Sequence, residues 1–257
     1  MTALAESAVP VVAKLPKPRF YVRSAAAILA VGVLGFAPTY WVPLARGMLV
    51  VPPIVHLHAL VFYGWLVLFL VQTRLAAARK FERHRELGVA SVSVATAMCF
   101  IGVAVAVASM RRGDAQGFGP ASRAFAIVPL STIATFAVTM IFALRHARAA
   151  QVHKRLMLVA TAPLLSAGIG RWFVLFLAPH VAGPTPPPPV AVTVLPSLLA
   201  DLFIVAGMVY DRRTRGRVHP VYWIGLAGVV AVQVLRVPLA TTGLWLRVAD
   251  WVQALVP

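Results

Sequence analysis

Residues 53–77 read PIVHLHALVFYGWLVLFLVQTRLAA, and Arg74 is the one Lys, Arg, Asp or Glu in this stretch. Crossing a hydrocarbon core of about 30 Å takes about 20 apolar residues in a helix, so the stretch predicts a membrane-spanning helix. Six other stretches are also apolar and long enough to span a membrane. The seven predicted spans cover residues 21–38, 53–77, 88–110, 124–145, 156–178, 190–210 and 221–243. The predicted fold class is therefore all-α, an integral membrane bundle of seven transmembrane helices.

The composition of the whole chain agrees with this prediction. Of the 257 residues, 60% are hydrophobic and 12% are charged, which is too little charge to cover a water-soluble domain of this length. We predict a cytoplasmic tail at 1–20, a seven-helix transmembrane domain at 21–243 and an interfacial C-terminal segment at 244–257. Pro10, Pro16 and Pro18 interrupt the tail, so we expect an uncleaved first span and no signal peptide.

Basic residues are concentrated in alternate connections between the spans. Seventeen Lys and Arg residues lie before the first span or around the second-to-third, fourth-to-fifth and sixth-to-seventh connections, whereas five lie in the other connections. Because cytoplasmic loops carry the Lys/Arg excess, the N-terminus is predicted to be cytoplasmic and the C-terminus outside. Topology and attraction to membrane lipids then explain the net charge of +17, and we do not expect nucleic acid as a partner.

Three ionisable residues lie deep within the predicted spans, where they are costly and therefore informative. They are Arg171, Asp201 and Arg236. Arg171 and Arg236 are predicted to lie in the outer half, with His58 somewhat nearer the outer surface and with Asp201 and Gln233 near the midplane. Together these residues predict one polar site between the second, fifth, sixth and seventh spans. Two arginines against one aspartate would suit a carboxylate, a phosphate or a haem propionate. The alternative is that Asp201 pairs with one arginine to fix helix packing while the other arginine reaches the outer interface.

His58, Trp65 and Gln72 recur every seven residues along the second span. This spacing places them on one face of a helix, so Trp65 and Gln72 are candidates for the same polar site. The alternative is that His58 is an interfacial residue and that Trp65 is an ordinary core side chain.

His84 and His153 lie at the predicted inner ends of the third and fifth spans. Neutral imidazole is a good axial ligand of haem iron, so one b-type haem could be bound between them. The alternative is that both belong to ordinary positively charged loops. Cys99 is the only cysteine, which excludes an intramolecular disulfide and a Cys-based metal cluster.

These motifs resemble those of an uncharacterised family of bacterial polytopic membrane proteins. The resemblance covers the second to fifth spans and rests on His58, Trp65, Gln72, His84-Arg85 with Gly88 (His-Arg-x-x-Gly), His153 with Met157 (His-x-x-x-Met), and Arg171. That family is distantly similar to the diheme cytochrome b superfamily, in which four helices hold haem between histidines. The resemblance implies a protein of the bacterial inner membrane that binds haem b with His84 and His153 as axial ligands. The fourth span begins without a histidine, so the residues support at most one haem, and an outer quinone or anion site is as plausible as a second haem.

Three classes of function remain open: a redox protein with haem b and a quinone or redox partner protein, a small-anion transporter using Arg171, Arg236 and Asp201, and a non-catalytic assembly or partner subunit. The chain has no internal repeat, which disfavours the transporter. All four lysines lie outside the spans, which excludes a retinal protein. Hydrolytic and phosphate-binding motifs are missing as well. We favour the redox protein.

Overall fold

A computed structural model of the protein describes residues 19–177 and 185–255, and these residues contain helices and no β-strand. Seven helices in this part of the chain are long and apolar enough to cross a membrane, which confirms the predicted fold class. They are α1 (Phe20–Ala45), α2 (Pro53–Ala77), α3 (Phe81–Ala115), α4 (Gly119–Arg145), α5 (Ala150–Phe176), α6 (Val190–Arg215) and α7 (Pro220–Leu239). A further helix, α8 (Gly243–Leu255), follows the seventh. The protein is therefore a multi-pass integral membrane protein.

Several helices are longer than the apolar stretches that predict them. The helix α3 extends beyond 88–110 at both ends, because charged side chains do not interrupt a helix, and a turn with Gly117 at φ +80° separates it from α4. The helix α1 continues through a π-helical turn, Ala37–Trp41, to Ala45. The helix α7 ends at Leu239 instead of residue 243, because a turn at 240–242 leads into α8.

The first five helices form a closed ring, in which each packs against the next and α5 packs back against α1. The helices α6 and α7 pack against each other and against α5, and α8 packs against α3 and α4. The basic end of the bundle is the end at which α1, α3, α5 and α7 begin, and the far end is the opposite one. The basic end is predicted to be cytoplasmic because it carries most of the Lys and Arg side chains.

The central helix α5 is irregular where it crosses the middle of the bundle. Residues Ala162–Leu165 form a 3₁₀ turn that includes Pro163, which cannot donate a backbone hydrogen bond. Just beyond this turn, Gly168 meets Gly35 of α1 so closely that a Cβ atom on Gly35 would lie 2.8 Å from the Gly168 backbone. Small residues thus allow α1 and α5 to approach each other directly.

Candidate functional site

His84 and His153 lie at the basic end, on helices α3 and α5, and α4 packs against both of these helices. Nδ1 of His84 lies 3.3 Å from the backbone oxygen of Gln72 on α2, and Nδ1 of His153 lies 2.8 Å from the backbone oxygen of Ala143 on α4. A carbonyl oxygen only accepts hydrogen bonds, so each Nδ1 donates. The two rings are close enough to interact electrostatically. Neither Nε2 atom has a hydrogen-bond partner among the described residues.

Gln72 closes the turn between α2 and α3 around His84. Its Nε2 donates to the backbone oxygen of His84 at 3.2 Å and to Oγ of Ser91 at 3.1 Å. Because the His84 ring bonds back to the Gln72 backbone, the two residues hold each other in place. Gln72 is therefore positioned with His84, and no contact links it to His58.

Trp65 lies deeper in the ring of helices and is 1% exposed. Its ring meets Phe136 of α4 edge to face, with centroids 5.2 Å apart, while its indole Nε1 is buried without a hydrogen-bond partner. Phe69 and Met140 are also buried and lie about one helical turn from the residues that hold the two histidines. Trp65 is the central residue of α2 and thus belongs to an apolar layer in the middle of that helix.

Arg171 lies in the far half of α5, is exposed, and has its guanidinium group on the side of the helix that meets α1 and α2. Its guanidinium carbon is 4.5 Å from the centre of the Phe36 ring, which is a cation–π distance. Its charge acts on His58 and on Tyr63 of α2, so both side chains are nearby. Within the described chain Arg171 has neither a hydrogen bond nor an ion pair. His58 packs on Phe62, with ring centroids 4.1 Å apart.

Two polar groups on the neighbouring helices α1 and α2 are buried and have no hydrogen-bond partner among the described residues. They are Nδ1 of His58 and the hydroxyl group of Thr39, which lies in the π-helical turn of α1. Such turns occur frequently at functional sites. The helices α1, α2 and α5 contain no Asp or Glu. The region therefore offers a cation and hydrogen-bond donors, and it suits a ligand with acceptor oxygens.

Arg236, on α7, is 3% exposed and is bound to the first turns of α6. Its Nη2 donates to Oγ1 of Thr193 at 2.9 Å and to Oγ of Ser197 at 2.8 Å, with a longer bond of 3.3 Å to the Thr193 backbone oxygen. Its Nε has no hydrogen-bond partner. Neutral oxygens, and not the Asp201 carboxylate, are thus the hydrogen-bond partners of Arg236 in the described chain.

Asp201 and Gln233 form the neighbouring layer of the same contact between α6 and α7. Asp201 follows Ser197 by one helical turn, Gln233 precedes Arg236 by one turn, and the two side chains are 2% and 4% exposed. Both carboxylate oxygens of Asp201 and Oε1 of Gln233 are buried and have no hydrogen-bond partner among residues 19–177 and 185–255. Two donors belong to this contact, the side-chain amide of Gln233 and Nε of Arg236, but neither meets hydrogen-bond geometry with the Asp201 oxygens in the described part of the chain.

The structure thus places the polar residues of the far half in two separate groups. Arg171 and His58 lie against α1 and α2, whereas Arg236, Asp201 and Gln233 lie between α6 and α7. Among the described residues, no hydrogen bond, ion pair or ring contact joins the two groups. Arg171 and Arg236 therefore share no hydrogen-bond, ion-pair or ring partner in the described part of the chain.

Arg155 and Asp211 form a buried ion pair that was not predicted from the sequence. Nε and Nη2 of Arg155 on α5 donate to the two carboxylate oxygens of Asp211 on α6 at 2.7 and 2.5 Å, and both side chains are 0% exposed. Nη1 also bonds Oε1 of Gln151 at 3.0 Å. The sequence places Arg155 among the cytoplasmic cations. A sequence signal for this ion pair does exist: Asp211 is an acidic residue directly before a run of arginines, and it could have indicated a buried partner for a basic residue such as Arg155.

Two tyrosines and His219 complete this cluster at the basic end. Tyr222 of α7 is 0% exposed, its ring centre is 5.7 Å from the Arg155 guanidinium carbon, and its hydroxyl oxygen is 3.1 Å from that of Tyr21 on α1. The backbone N–H of His219 donates to Asp211 at 3.3 Å. Burial lowers the pKa of the His219 imidazole, and the nearby Arg155 charge acts in the same direction. The cluster joins α1, α5, α6 and α7.

The fold and these buried polar groups define a multi-pass helical membrane protein with several internal polar sites. Comparisons with protein-family models, with curated proteins and with solved structures find no match to this chain. In the part of the chain that the structure describes, no three His, Cys, Asp or Glu side chains are grouped to hold a metal ion. A haem iron requires only two axial imidazoles from the protein, so His84 and His153 are sufficient in number.

Proposed function

We propose that the protein is a membrane redox protein that binds one b-type haem between His84 and His153. The observation that carries this proposal is the geometry that the two rings share, with Nδ1 bonded to a carbonyl on a neighbouring helix and Nε2 free. Histidines that ligate metals commonly donate their other ring N–H in this way, which orients the ring and makes the ligating nitrogen more basic. His146, at the same end, differs because it is exposed and bonds the Phe142 carbonyl of its own helix.

The surroundings of the two histidines fit a haem in polarity. Phe69 and Met140 supply apolar side chains toward the middle of the membrane, while Arg85 and Lys154, next to the histidines in sequence, supply cations for propionates. A bound haem would supply one-electron chemistry, and the protein would supply its ligands and electrostatic environment. In this proposal Gln72 is a positioning residue, because it acts through His84.

A visible absorption spectrum of the detergent-purified protein, before and after dithionite, tests this proposal. We expect a Soret band, and α and β bands that sharpen on reduction, as for a bis-histidine haem. His84→Ala and His153→Ala should each lose the haem while keeping a helical circular dichroism spectrum. His146→Ala, a matched control at the same end, should retain it.

Two results would contradict the haem proposal. One is a colourless wild-type protein isolated from haem-replete cells. The other is haem that stays bound, with an unchanged spectrum, in both histidine variants. Either result would favour the remaining classes, a small-anion transporter or a non-catalytic partner subunit.

The region around Arg171 supports a second ligand, a quinone or an anion, in the far half. Both ligands present oxygens that accept hydrogen bonds, and the region offers donors from Arg171 and His58. Aromatic side chains such as Phe36 and Phe62 favour the planar quinone ring. Arg171 and Arg236 lie in separate groups, so the structure supports a transporter that binds one anion between these two arginines less than it supports the redox protein.

A further inference from the structure

We propose that Asp201 and Gln233 form a proton-binding site within the membrane, in which a proton on the Asp201 carboxyl group is donated to Oε1 of Gln233. This inference does not depend on haem. It rests on the buried, unpartnered oxygens between α6 and α7. A carboxylate is acceptor-only, and burying it without a donor is costly, so such a group tends to take up a proton.

One proton satisfies two of the three unpartnered oxygens at this contact. Protonation converts one Asp201 oxygen into an O–H donor, and Oε1 of Gln233 is the buried acceptor that lacks a donor. The two side chains lie in the same layer of the contact, one turn from the layer in which Arg236 meets Ser197. The reaction is the addition of one proton to a carboxylate oxygen, and its reversal returns the carboxylate and the proton.

Arg236 makes this proton exchangeable. It is the charged side chain that acts on Asp201 in the described chain, and it favours the ionised carboxylate without forming an ion pair with it. Its Nη2 is already bonded to Thr193 and Ser197. The helix α5 also packs against α6, but its Arg155 is paired with Asp211, and its Arg171 lies over Phe36. Desolvation and the Arg236 charge therefore oppose each other at Asp201.

A metal cation fits this contact less well than a proton does. Metal ions such as Ca²⁺ and Mg²⁺ require about six or more oxygen ligands, whereas Asp201 and Gln233 offer three oxygens without donors. The hydroxyl oxygens of Thr193 and Ser197 already accept from Arg236, whose positive charge would repel a second cation. A proton requires only one oxygen on each side.

Infrared spectroscopy of the full chain in lipid, recorded in H₂O and D₂O over the pH range in which the protein stays folded, tests the site. We expect the C=O stretch of a protonated carboxyl group, which shifts on H/D exchange and disappears at high pH. Asp201→Asn should remove this band. Asp114→Asn, which removes an exposed carboxylate paired with Arg123, should leave it unchanged.

Gln233→Leu provides an independent readout if Asp201→Asn fails to fold. Loss of the Oε1 acceptor should shift the carboxyl band, and an unshifted band would overturn the proposal. The proposal would also be overturned by the absence of a protonated carboxyl band at every pH, or by a band that persists in Asp201→Asn. Loss of the band on addition of sodium chloride at constant pH would assign the contact to a metal cation instead.

Discussion

At the scale of single residues, two buried arginines are satisfied in different ways. Arg155 gives two hydrogen bonds to the Asp211 carboxylate, whereas Arg236 donates to the hydroxyl oxygens of Thr193 and Ser197. Removing one partner of a buried ion pair leaves an uncompensated charge, which is more damaging than replacing both partners by apolar side chains. The Arg155–Asp211 pair should accordingly be sensitive to the loss of a single charge.

Asp211→Asn should lower the free energy of unfolding by about 3–5 kcal/mol, because the Arg155 guanidinium remains buried without its counter-charge. Unfolding in detergent, followed by helical circular dichroism, would measure the loss. The matched control is Asp114→Asn, because Asp114 pairs with Arg123 where both side chains are partly exposed. Its effect should be about 0–1 kcal/mol.

Equal losses in the two aspartate variants would contradict the burial of the Arg155–Asp211 pair. The double variant Arg155→Leu/Asp211→Leu provides a further check. It should recover much of the loss, since no buried charge remains.

At the scale of elements, α5 departs from a regular helix at mid-length and contacts helices on both sides. The 3₁₀ turn at Ala162–Leu165 interrupts it at mid-membrane, and Gly168 follows directly where α1 crosses. Broken membrane helices commonly leave backbone groups that neighbouring helices must satisfy or cover. Here Gly35 and Gly168 bring the two backbones together, so α1 covers the segment after the break.

Gly35→Ala should destabilise the protein by about 1–3 kcal/mol, because the new methyl group would overlap the Gly168 backbone and force α1 away. Thermal unfolding in detergent would measure this change. Gly228→Ala on α7 is the matched control, since a Cβ atom there meets nothing within 4 Å. It should be neutral or stabilising by up to about 1 kcal/mol, because alanine favours a helix more than glycine does. If Gly35→Ala were as harmless as Gly228→Ala, α1 and α5 would have to lie farther apart than described.

At the scale of the whole molecule, the number of membrane helices could be predicted because each span must satisfy its own backbone within an apolar stretch. The rotation of each helix about its own axis could not be predicted from the sequence. Arg171 and Arg236 lie at similar depths, which predicts a shared site, but they contact different helices. The rotation of a helix about its axis depends on side-chain packing against its neighbours, and the hydropathy of the sequence does not predict that packing. For the same reason, the sequence did not reveal that Arg155 faces Asp211.

The two proposed ligand sites are far apart in the molecule and can be tested separately. His153 and Arg171 are about 27 Å apart along α5 at 1.5 Å per residue. Arg171→Gln should weaken quinone binding by about tenfold or more, because a hydrogen bond from a charged donor contributes about 1.5–3 kcal/mol. Quenching of tryptophan fluorescence by a short-chain quinone would measure this affinity. Haem retention should be unaffected.

Arg46→Gln is the control for this measurement, because Arg46 lies at the far end but has no contact with Phe36 or His58, the residues beside Arg171 in the described chain. Its affinity for quinone should equal that of the wild type. Quenching that is identical in Arg171→Gln and wild type would contradict a quinone site at Arg171. Competition by phosphate or acetate, lost in Arg171→Gln, would identify an anion as the ligand.

The unequal lengths of the helices have a consequence for the surrounding lipid. The helix α3 has 35 residues, a length of about 52 Å, and its uncharged part at 88–110 alone measures about 34 Å. The 20 residues of α7 measure about 30 Å, close to the thickness of a hydrocarbon core. Lipids beside α3 therefore meet a positive hydrophobic mismatch that lipids beside α7 do not, and tilting of α3 or local thickening of the bilayer must absorb it. A thicker bilayer lowers the free-energy cost of this mismatch beside α3. We therefore expect bilayer thickness to influence in which membrane the protein is most stable.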